Sequence, residues 1–263
     1  MRDDVVGIVP MAGHGTRLGV LPFSKELYPV GRDAASQQPL VVSRAVLEQL
    51  RRAGATRTFL VLRDGKWDIP AHYRDGIDRT GIHLAYVMAR LPFGVPFSLD
   101  TPRPFTVGSI MAMGFPDILL DPPDALAGVV QRHRETRADV VLGLFPWTAP
   151  PFDDLVETDG DGRVVRYYAD REPGATALTW ALMTWGRRFS DFMHAAGETW
   201  LAERRQDCEE FRLSWVLAAA VEAGLLVQST SFPTGQMLDI GSPMGQSRLE
   251  DLTITSLDGW AGS

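Results

Sequence analysis

The sequence opens with an apolar run that leads into glycines, Val5-Val6-Gly7-Ile8-Val9-Pro10-Met11-Ala12-Gly13-His14-Gly15-Thr16-Arg17-Leu18. The β-branched stretch at 5–9 is typical of a strand that is buried on both faces of a sheet. Glycines directly after such a strand let backbone N–H groups close around phosphate oxygens. This opening therefore predicts a parallel strand followed by an anion-binding turn.

Two well-known phosphate-binding loops do not fit these glycines. The P-loop requires G-x-x-x-x-G-K-[ST], a spacing that the sequence lacks. The dinucleotide fingerprint G-x-G-x-x-G needs a glycine where Leu18 stands, and a crossover helix where Pro22 and Pro29 forbid one. What remains is a glycine turn with Arg17 inside it and Lys25 shortly after it, two cations that suit a polyphosphate.

Beyond this turn, strand and helix patterns alternate as far as about residue 145. Strands are predicted at 58–62, 83–88, 109–113 and 139–145, and helices at 39–53 and 123–136. The alternation indicates an α/β fold with a doubly wound, mainly parallel sheet.

The alternation of strand and helix patterns changes in the second half of the chain. A hairpin is predicted around Asp159-Gly160-Asp161-Gly162, strands at 177–185, 227–231 and 237–240, and helices at 211–223 and from 242 onward. No internal repeat or low-complexity linker divides the sequence. We therefore expect a single domain over residues 1–263.

The composition is that of a folded globule with an acidic balance. The chain has 263 residues, with 26 Lys and Arg against 33 Asp and Glu, and a formal net charge of −7. This charge, without a basic tail, argues against nucleic-acid binding. The single cysteine, Cys208, excludes an intrachain disulfide, and no stretch is long and apolar enough to span a membrane. We expect a cytoplasmic protein that binds neither nucleic acid nor membrane.

The segment 11–30 resembles the signature of the sugar-phosphate nucleotidylyltransferases, such as glucose-1-phosphate thymidylyltransferase. Their pattern is G-x-G-T-R-L followed by P-K or S-K and then x-L-x-P-V. The matching residues are Gly13, Gly15, Thr16, Arg17, Leu18, Ser24, Lys25, Leu27, Pro29 and Val30. The resemblance implies a GT-A-like, Rossmann-like fold with a nucleotide-binding half at 1–145 and an acceptor-binding half at 146–263. It also implies transfer of a nucleoside monophosphate from a nucleoside triphosphate (NTP) to a sugar 1-phosphate, with release of pyrophosphate.

Two acidic positions extend the resemblance. Asp117 follows a predicted central strand, where the family has Gly-Asp, although two extra residues precede it here. Asp239, in Met237-Leu238-Asp239-Ile240-Gly241-Ser242-Pro243, resembles the family's D-x-G-[TS]-P motif. The resemblance implies that these two carboxylates hold Mg²⁺, while Arg17 binds the leaving phosphates and Lys25 neutralises the α-phosphate.

The same resemblance assigns the substrate contacts. Those to the nucleotide are implied at Met11, Ala12, Gly13, Gly15, Thr16, Arg17 and Gly94. Those to the acceptor are implied at Arg171 and Glu172, near the family's E-K-P motif, and at Thr179 and Trp180, where the family has Thr-Gly or Ala-Gly. Trp180 would fill space that a glycine leaves for a hexose, so we expect an acceptor that is smaller, differently shaped or stacked on the indole.

Two alternatives stay open. Ala89, followed by Arg90, stands where the family has the glutamine that reads a pyrimidine. Together with Trp180, this favours a cytidylyltransferase for a small non-sugar phosphate or phosphonate. Three prolines at 96–104 predict a rebuilt loop where the family begins a helix, which with the displaced Asp117 favours a nucleotide-sensing relative without turnover. The expected partners are an NTP, a phosphorylated small molecule and, since the family often forms dimers or tetramers, a second copy of the chain.

Overall fold

The fold is built around one central sheet, seen in a computed structural model that describes residues 4–19, 21–32, 37–89, 94–147, 153–170, 178–203 and 210–251. The strands are β1 (Val5–Pro10), β2 (Pro29–Arg32), β3 (Pro39–Val41), β4 (Arg57–Leu62), β5 (His83–Met88), β6 (Ile110–Gly114), β7 (Ile118–Asp121), β8 (Val140–Pro146), β9 (Asp153–Thr158), β10 (Val164–Asp170), β11 (Leu178–Trp185), β12 (Val227–Ser231) and β13 (Gln236–Asp239). The helices are α1 (Ser43–Arg52), α2 (Asp68–Tyr73), α3 (Ile77–Thr80), α4 (Val95–Asp100), α5 (Ala125–Thr136), α6 (Arg187–Glu203), α7 (Leu213–Glu222) and α8 (Pro243–Asp251).

The central sheet is mainly parallel around β1. β1 lies between β4 and β6 and runs parallel to both, β5 continues the sheet beside β4, and β12 is parallel to β8. β11 is antiparallel to β6 on one side and to β8 on the other, and the β9–β10 hairpin joins it through the Thr179–Leu155 pair. The predicted doubly wound, mainly parallel α/β sheet is confirmed, and the central position predicted for the strand at 109–113 matches β6.

Apolar layers cover both faces of this sheet. Val5 and Val9 of β1 belong to one buried cluster and Ile8 to the other, because successive side chains of a strand point to opposite faces. Helices α1 and α5 supply the first cluster, and α4, α6 and α7 supply the second. No helix in the described ranges combines the length and the apolar character that crossing a bilayer requires.

Two predicted elements differ from the structure. The helix predicted at 39–53 begins at Ser43, because Pro39 instead opens β3, which pairs with β2 in a separate ribbon. A proline is tolerated at the first residue of such a strand. The loop predicted at 96–104 is wrong in its first part, where α4 (Val95–Asp100) forms. Pro96 lies in the first turn of that helix, where a missing N–H breaks no helical hydrogen bond.

The buried His133 predicts a pH dependence of stability. Its side chain, on α5, meets the Thr184 hydroxyl at 3.2 Å, and burial lowers the pKa of His133 from 6.5 to about 4. The unfolded chain therefore binds more protons than the folded chain below pH 6.5, so stability present above that pH is lost as the pH falls toward 4. We expect this group to account for about 2–3 kcal/mol of the loss between pH 7.5 and 4.5.

Urea unfolding at these two pH values checks this expectation. The His133→Gln variant should lack that share of the loss, whereas His83→Gln, at an exposed position, should behave like the wild type. Equal losses in the wild type and in His133→Gln would show that His133 is not the titrating group.

Candidate active site

A short antiparallel ribbon brings two distant acids together. β7 pairs with β13 so that Ile118 faces Asp239, and the Ile240 N–H donates to the Asp117 carbonyl oxygen at 2.8 Å. Asp117 also lies just beyond β6, next to β1 at the centre of the sheet. The two acids that the sequence suggested as metal ligands therefore share one edge of the sheet.

Gly241 lies directly against both carboxylates. A Cβ at this position would be 2.3 Å from Asp117 Oδ2 and 2.9 Å from Asp239 Oδ1, so a side chain here would fill the space that both acids face. The Gly241 N–H donates to Asp239 Oδ1 at 2.7 Å. Burial, and then the charge of Asp117, raise the pKa of Asp239. Such a pair of oxygen ligands fits a divalent cation, and Mg²⁺ is commonly bound by one or two carboxylates with substrate phosphates.

Each predicted cation is paired with one of these acids. The Lys25 ammonium donates to Asp117 Oδ2 at 2.6 Å, and the Arg17 guanidinium donates to Asp239 Oδ2 at 3.3 Å. Burial opposes the charge on Lys25, but the Asp117 carboxylate outweighs it and raises the pKa of Lys25. Arg17, with 62% of its side chain exposed, remains accessible to a ligand.

The glycine turn lies over the Lys25 side chain. Its first residue, Met11, is buried and donates its N–H to the Val61 carbonyl oxygen at 2.8 Å. Gly15 has a φ of +70°, and a Cβ there would be 3.4 Å from Lys25 Cδ. Among the described residues, the N–H groups of Gly13 and Gly15 donate to no protein acceptor. The turn therefore combines free backbone donors with a lysine directly beneath them, a combination that suits an anion.

Trp180 and Thr179, predicted to face the acceptor, are both buried at the start of β11. The Trp180 indole N–H donates to the Tyr167 hydroxyl, and its ring lies 5.5 Å from that of Phe115, centroid to centroid. The Thr179 hydroxyl donates to the Asp154 carbonyl oxygen at 3.2 Å. Trp180 therefore packs against the segment that carries Asp117. Its contact with an acceptor stays a prediction.

The remaining predicted contacts are less completely placed. Arg171 and Glu172 lie outside the described residues, and so does the side chain of Thr16, whose backbone forms part of a 3-10 turn at Thr16–Leu18. Gly94 precedes α4 with a φ of +137°, and a Cβ there would lie 1.9 Å from the Phe211 carbonyl oxygen. Packing of the protein on itself therefore accounts for this glycine, and its contact with a base stays a prediction.

The sequence reasoning missed a buried ion pair beside the site. The Lys66 ammonium lies 2.6 Å from Glu26 Oε1, and the two side chains are 4% and 1% exposed. Burial lowers the pKa of Lys66 and raises that of Glu26. The rarity of lysine could have drawn attention to Lys66, because Lys25 and Lys66 are the two lysines among the 26 basic residues of the chain.

Comparisons with known proteins identify solved structures that share this fold. No family model matches the sequence, and no curated protein matches it. Three solved structures share the fold. A Bacillus anthracis protein assigned as a glucose-1-phosphate thymidylyltransferase has a TM-score of 0.74 and 14% identity, with 94% of each chain covered. The UTP-bound UGPase from Acinetobacter baumannii has a TM-score of 0.72 and 15% identity, covering 94% of this chain and 92% of that one.

The third is the inositol-1-phosphate CTP transferase from T. maritima, with a TM-score of 0.68 and 18% identity, covering 98% of this chain and 96% of that one. At these identities the likeness concerns the fold. The chain has the α/β fold of these nucleotidyltransferases over nearly its whole length.

Proposed function

We propose that this protein is a nucleotidylyltransferase that joins the nucleoside monophosphate of an NTP to a sugar 1-phosphate and releases pyrophosphate. The observation that carries the proposal is the meeting of Lys25–Asp117 and Arg17–Asp239 around Gly241. Beside them lies the glycine turn, whose N–H groups at Gly13 and Gly15 donate to no protein acceptor among the described residues. The shared fold supports it, because one structure of that fold holds UTP and another is a CTP transferase for a phosphorylated acceptor.

In this reaction the protein positions the substrates and stabilises the phosphate charge, and it forms no covalent bond with them. An acceptor phosphate oxygen attacks the α-phosphorus, the bond from that phosphorus to the oxygen bridging to the β-phosphate breaks, and pyrophosphate leaves with the electron pair. Lys25, beneath the turn, neutralises charge on the α-phosphate, and Arg17 binds phosphate oxygens through its planar fork. Asp117 and Asp239 are the residues that would hold Mg²⁺, which when bound neutralises phosphate charge.

We extend the proposal beyond the reaction itself. The nucleotide binds the half at 1–145 and the acceptor binds the half at 146–263. Magnesium dependence, a cytoplasmic location and self-association belong to the same proposal.

A screen for pyrophosphate release tests the function. Each of the four ribonucleoside triphosphates and dTTP would be incubated with Mg²⁺ and a panel of hexose 1-phosphates. We expect at least one pair to release pyrophosphate, with no release when EDTA is added. Tight NTP binding without release under any acceptor would instead indicate the nucleotide-sensing role.

A cytidylyltransferase for a small non-sugar phosphate is the second candidate. Trp180 favours it, because the indole packs on Phe115, two residues before Asp117, and stands where the resemblance implies a glycine that leaves room for a hexose. The CTP transferase that shares this fold acts on inositol 1-phosphate, as its name states. The screen therefore includes CTP with phosphocholine and inositol 1-phosphate, and release only with hexose 1-phosphates would eliminate this candidate.

We expect substitution of Asp239 to lower the affinity for a divalent metal ion. Asp239→Asn removes one of the two carboxylates that face Gly241, so we expect Mn²⁺ affinity in the presence of an NTP to fall about tenfold or more. Electron paramagnetic resonance of free Mn²⁺ measures this without turnover. Asp121→Asn, the same change at an exposed residue of β7, is the matched control and should bind Mn²⁺ as the wild type does. Equal affinity in both variants would remove Asp239 from the metal site.

A further inference from the structure

A cleft of about 530 Å³ opens between the glycine turn and the segment 63–68 that follows β4. His14 and Gly15 line it on one side, and Arg63 and Lys66 on the other. Lys25 also lines this cleft while its ammonium bonds Asp117, so the cleft and the acidic site share one residue. Lys25 and Arg63 therefore line the same cleft.

Cations dominate the charged lining of this cleft. Lys25, Arg63 and Lys66 carry three positive charges, and among the described lining residues the carboxylate is that of Asp68. Both oxygens of Asp68 already accept hydrogen bonds from Ser24, each at 2.7 Å. Glu26 is paired with Lys66 and Asp117 with Lys25, so Arg63 is the lining cation that forms no ion pair with a carboxylate among the described residues. Burial, and then the positive charges of Lys25 and Arg63, lower the pKa of Lys66, and an anion in the cleft would relieve the repulsion among these cations.

Arg63 is the cation of this set whose donors are least used. Its Nε is buried and has no hydrogen-bond partner among the described residues, and its Nη1 donates to the Asp64 carbonyl oxygen at 2.8 Å. No carboxylate in the described part of the chain forms an ion pair with it, in contrast to Arg17 and Lys25. A guanidinium with spare donors on the wall of a cleft is suited to grip phosphate oxygens in pairs.

We propose that this cleft receives the distal phosphates of the NTP, and the pyrophosphate released from it, with Arg63 as a contact residue. The inference rests on the proposed function and deepens it, because the sequence had suggested Arg17 as the residue that holds these phosphates. The Lys66–Glu26 ion pair stabilises the side of the cleft that carries Arg63. The α-phosphate then lies at Lys25, between the distal phosphates on one side and the acids on the other.

Binding of inorganic pyrophosphate, measured by calorimetry with Mg²⁺, tests the inference independently of the base and of turnover. Arg63→Gln should weaken pyrophosphate binding about tenfold or more, since it removes charge-assisted hydrogen bonds. Arg63→Lys, which keeps the charge, should lose less. Arg187→Gln makes the same change at an exposed arginine at the start of α6 and should bind as the wild type does.

The outcomes separate this inference from the proposed function. Wild-type affinity in Arg63→Gln, or a wild type that does not bind pyrophosphate, overturns the inference even if the screen finds nucleotidyl transfer. A wild type that binds pyrophosphate through Arg63 but releases none from any NTP would leave the anion-binding cleft standing and overturn the transferase function. Thermal unfolding of each variant guards against misfolding, because a half-buried arginine also packs.

Discussion

Replacing Lys25 with methionine should lower the turnover number about a hundredfold or more, as the loss of a preorganised charge at the reacting phosphate does in other enzymes. Lys25 Nζ lies 2.6 Å from Asp117 Oδ2 and its stem lies under Gly15, so no other described lysine can take its place. Methionine preserves the length and apolar part of the side chain, which makes the lost charge the main change. Steady-state release of pyrophosphate, with the best substrate pair from the screen, measures the effect.

Loss of the ion pair with Asp117 complicates this variant, so it needs a control. Asp117→Asn breaks the same pair from the other side and keeps the ammonium. If Lys25 acts on phosphate, the Lys25→Met variant should also bind NTP more weakly in EDTA, where the acids would hold no metal, whereas Asp117→Asn should not. Turnover of Lys25→Met within threefold of the wild type would contradict the mechanism.

Replacing Lys66 with methionine should lower the free energy of unfolding by about 3–5 kcal/mol, because it leaves a buried carboxylate without its partner. The Lys66–Glu26 distance is 2.6 Å, and Glu26 Oε2 has no hydrogen-bond partner among the described residues, so Lys66 is the main compensation for this charge. Urea unfolding at pH 7.5 measures the difference.

The double variant is the decisive control for Lys66. Adding Glu26→Leu to Lys66→Met removes the orphaned charge, so it should restore most of the lost stability, since apolar replacements of buried ion pairs are often neutral. Arg57→Met, which breaks an exposed pair with Asp4, should cost under about 1 kcal/mol. A loss in Lys66→Met as small as that in Arg57→Met would show that the pair is not the buried support described above.

The strands around β1 could be predicted from the sequence, and the convergence of the acids could not. The run 5–9 is apolar at every position but glycine, which by itself indicates a strand covered on both faces. By contrast, Asp117 and Asp239 meet through the β7–β13 ribbon, a long-range pairing with no local signal. The resemblance in motif suggested both acids, and the structure shows that both carboxylates lie next to Gly241.

Predictions from local sequence patterns were also wrong or incomplete where tertiary packing determined the secondary structure. Pro39 suits the first turn of a helix, yet pairing of β3 with β2 moved the start of α1 to Ser43. Helix α6 (Arg187–Glu203) was not predicted, although Phe189 and Met193 recur at helical spacing and are buried. Arg63 was missed because a single arginine after a strand resembles the many surface arginines in this chain, and the cleft around it is a property of the fold.

The presence of both lysines along one cleft has a practical consequence. Lys25 and Lys66 are the two lysines of the sequence, so they are its side-chain primary amines. Amine-directed acylation followed by peptide mass mapping would therefore report on this region alone, apart from the chain terminus, without any engineered label. Lys66 should stay unmodified in the folded state, and the extent of modification at Lys25 should fall when a polyphosphate occupies the turn.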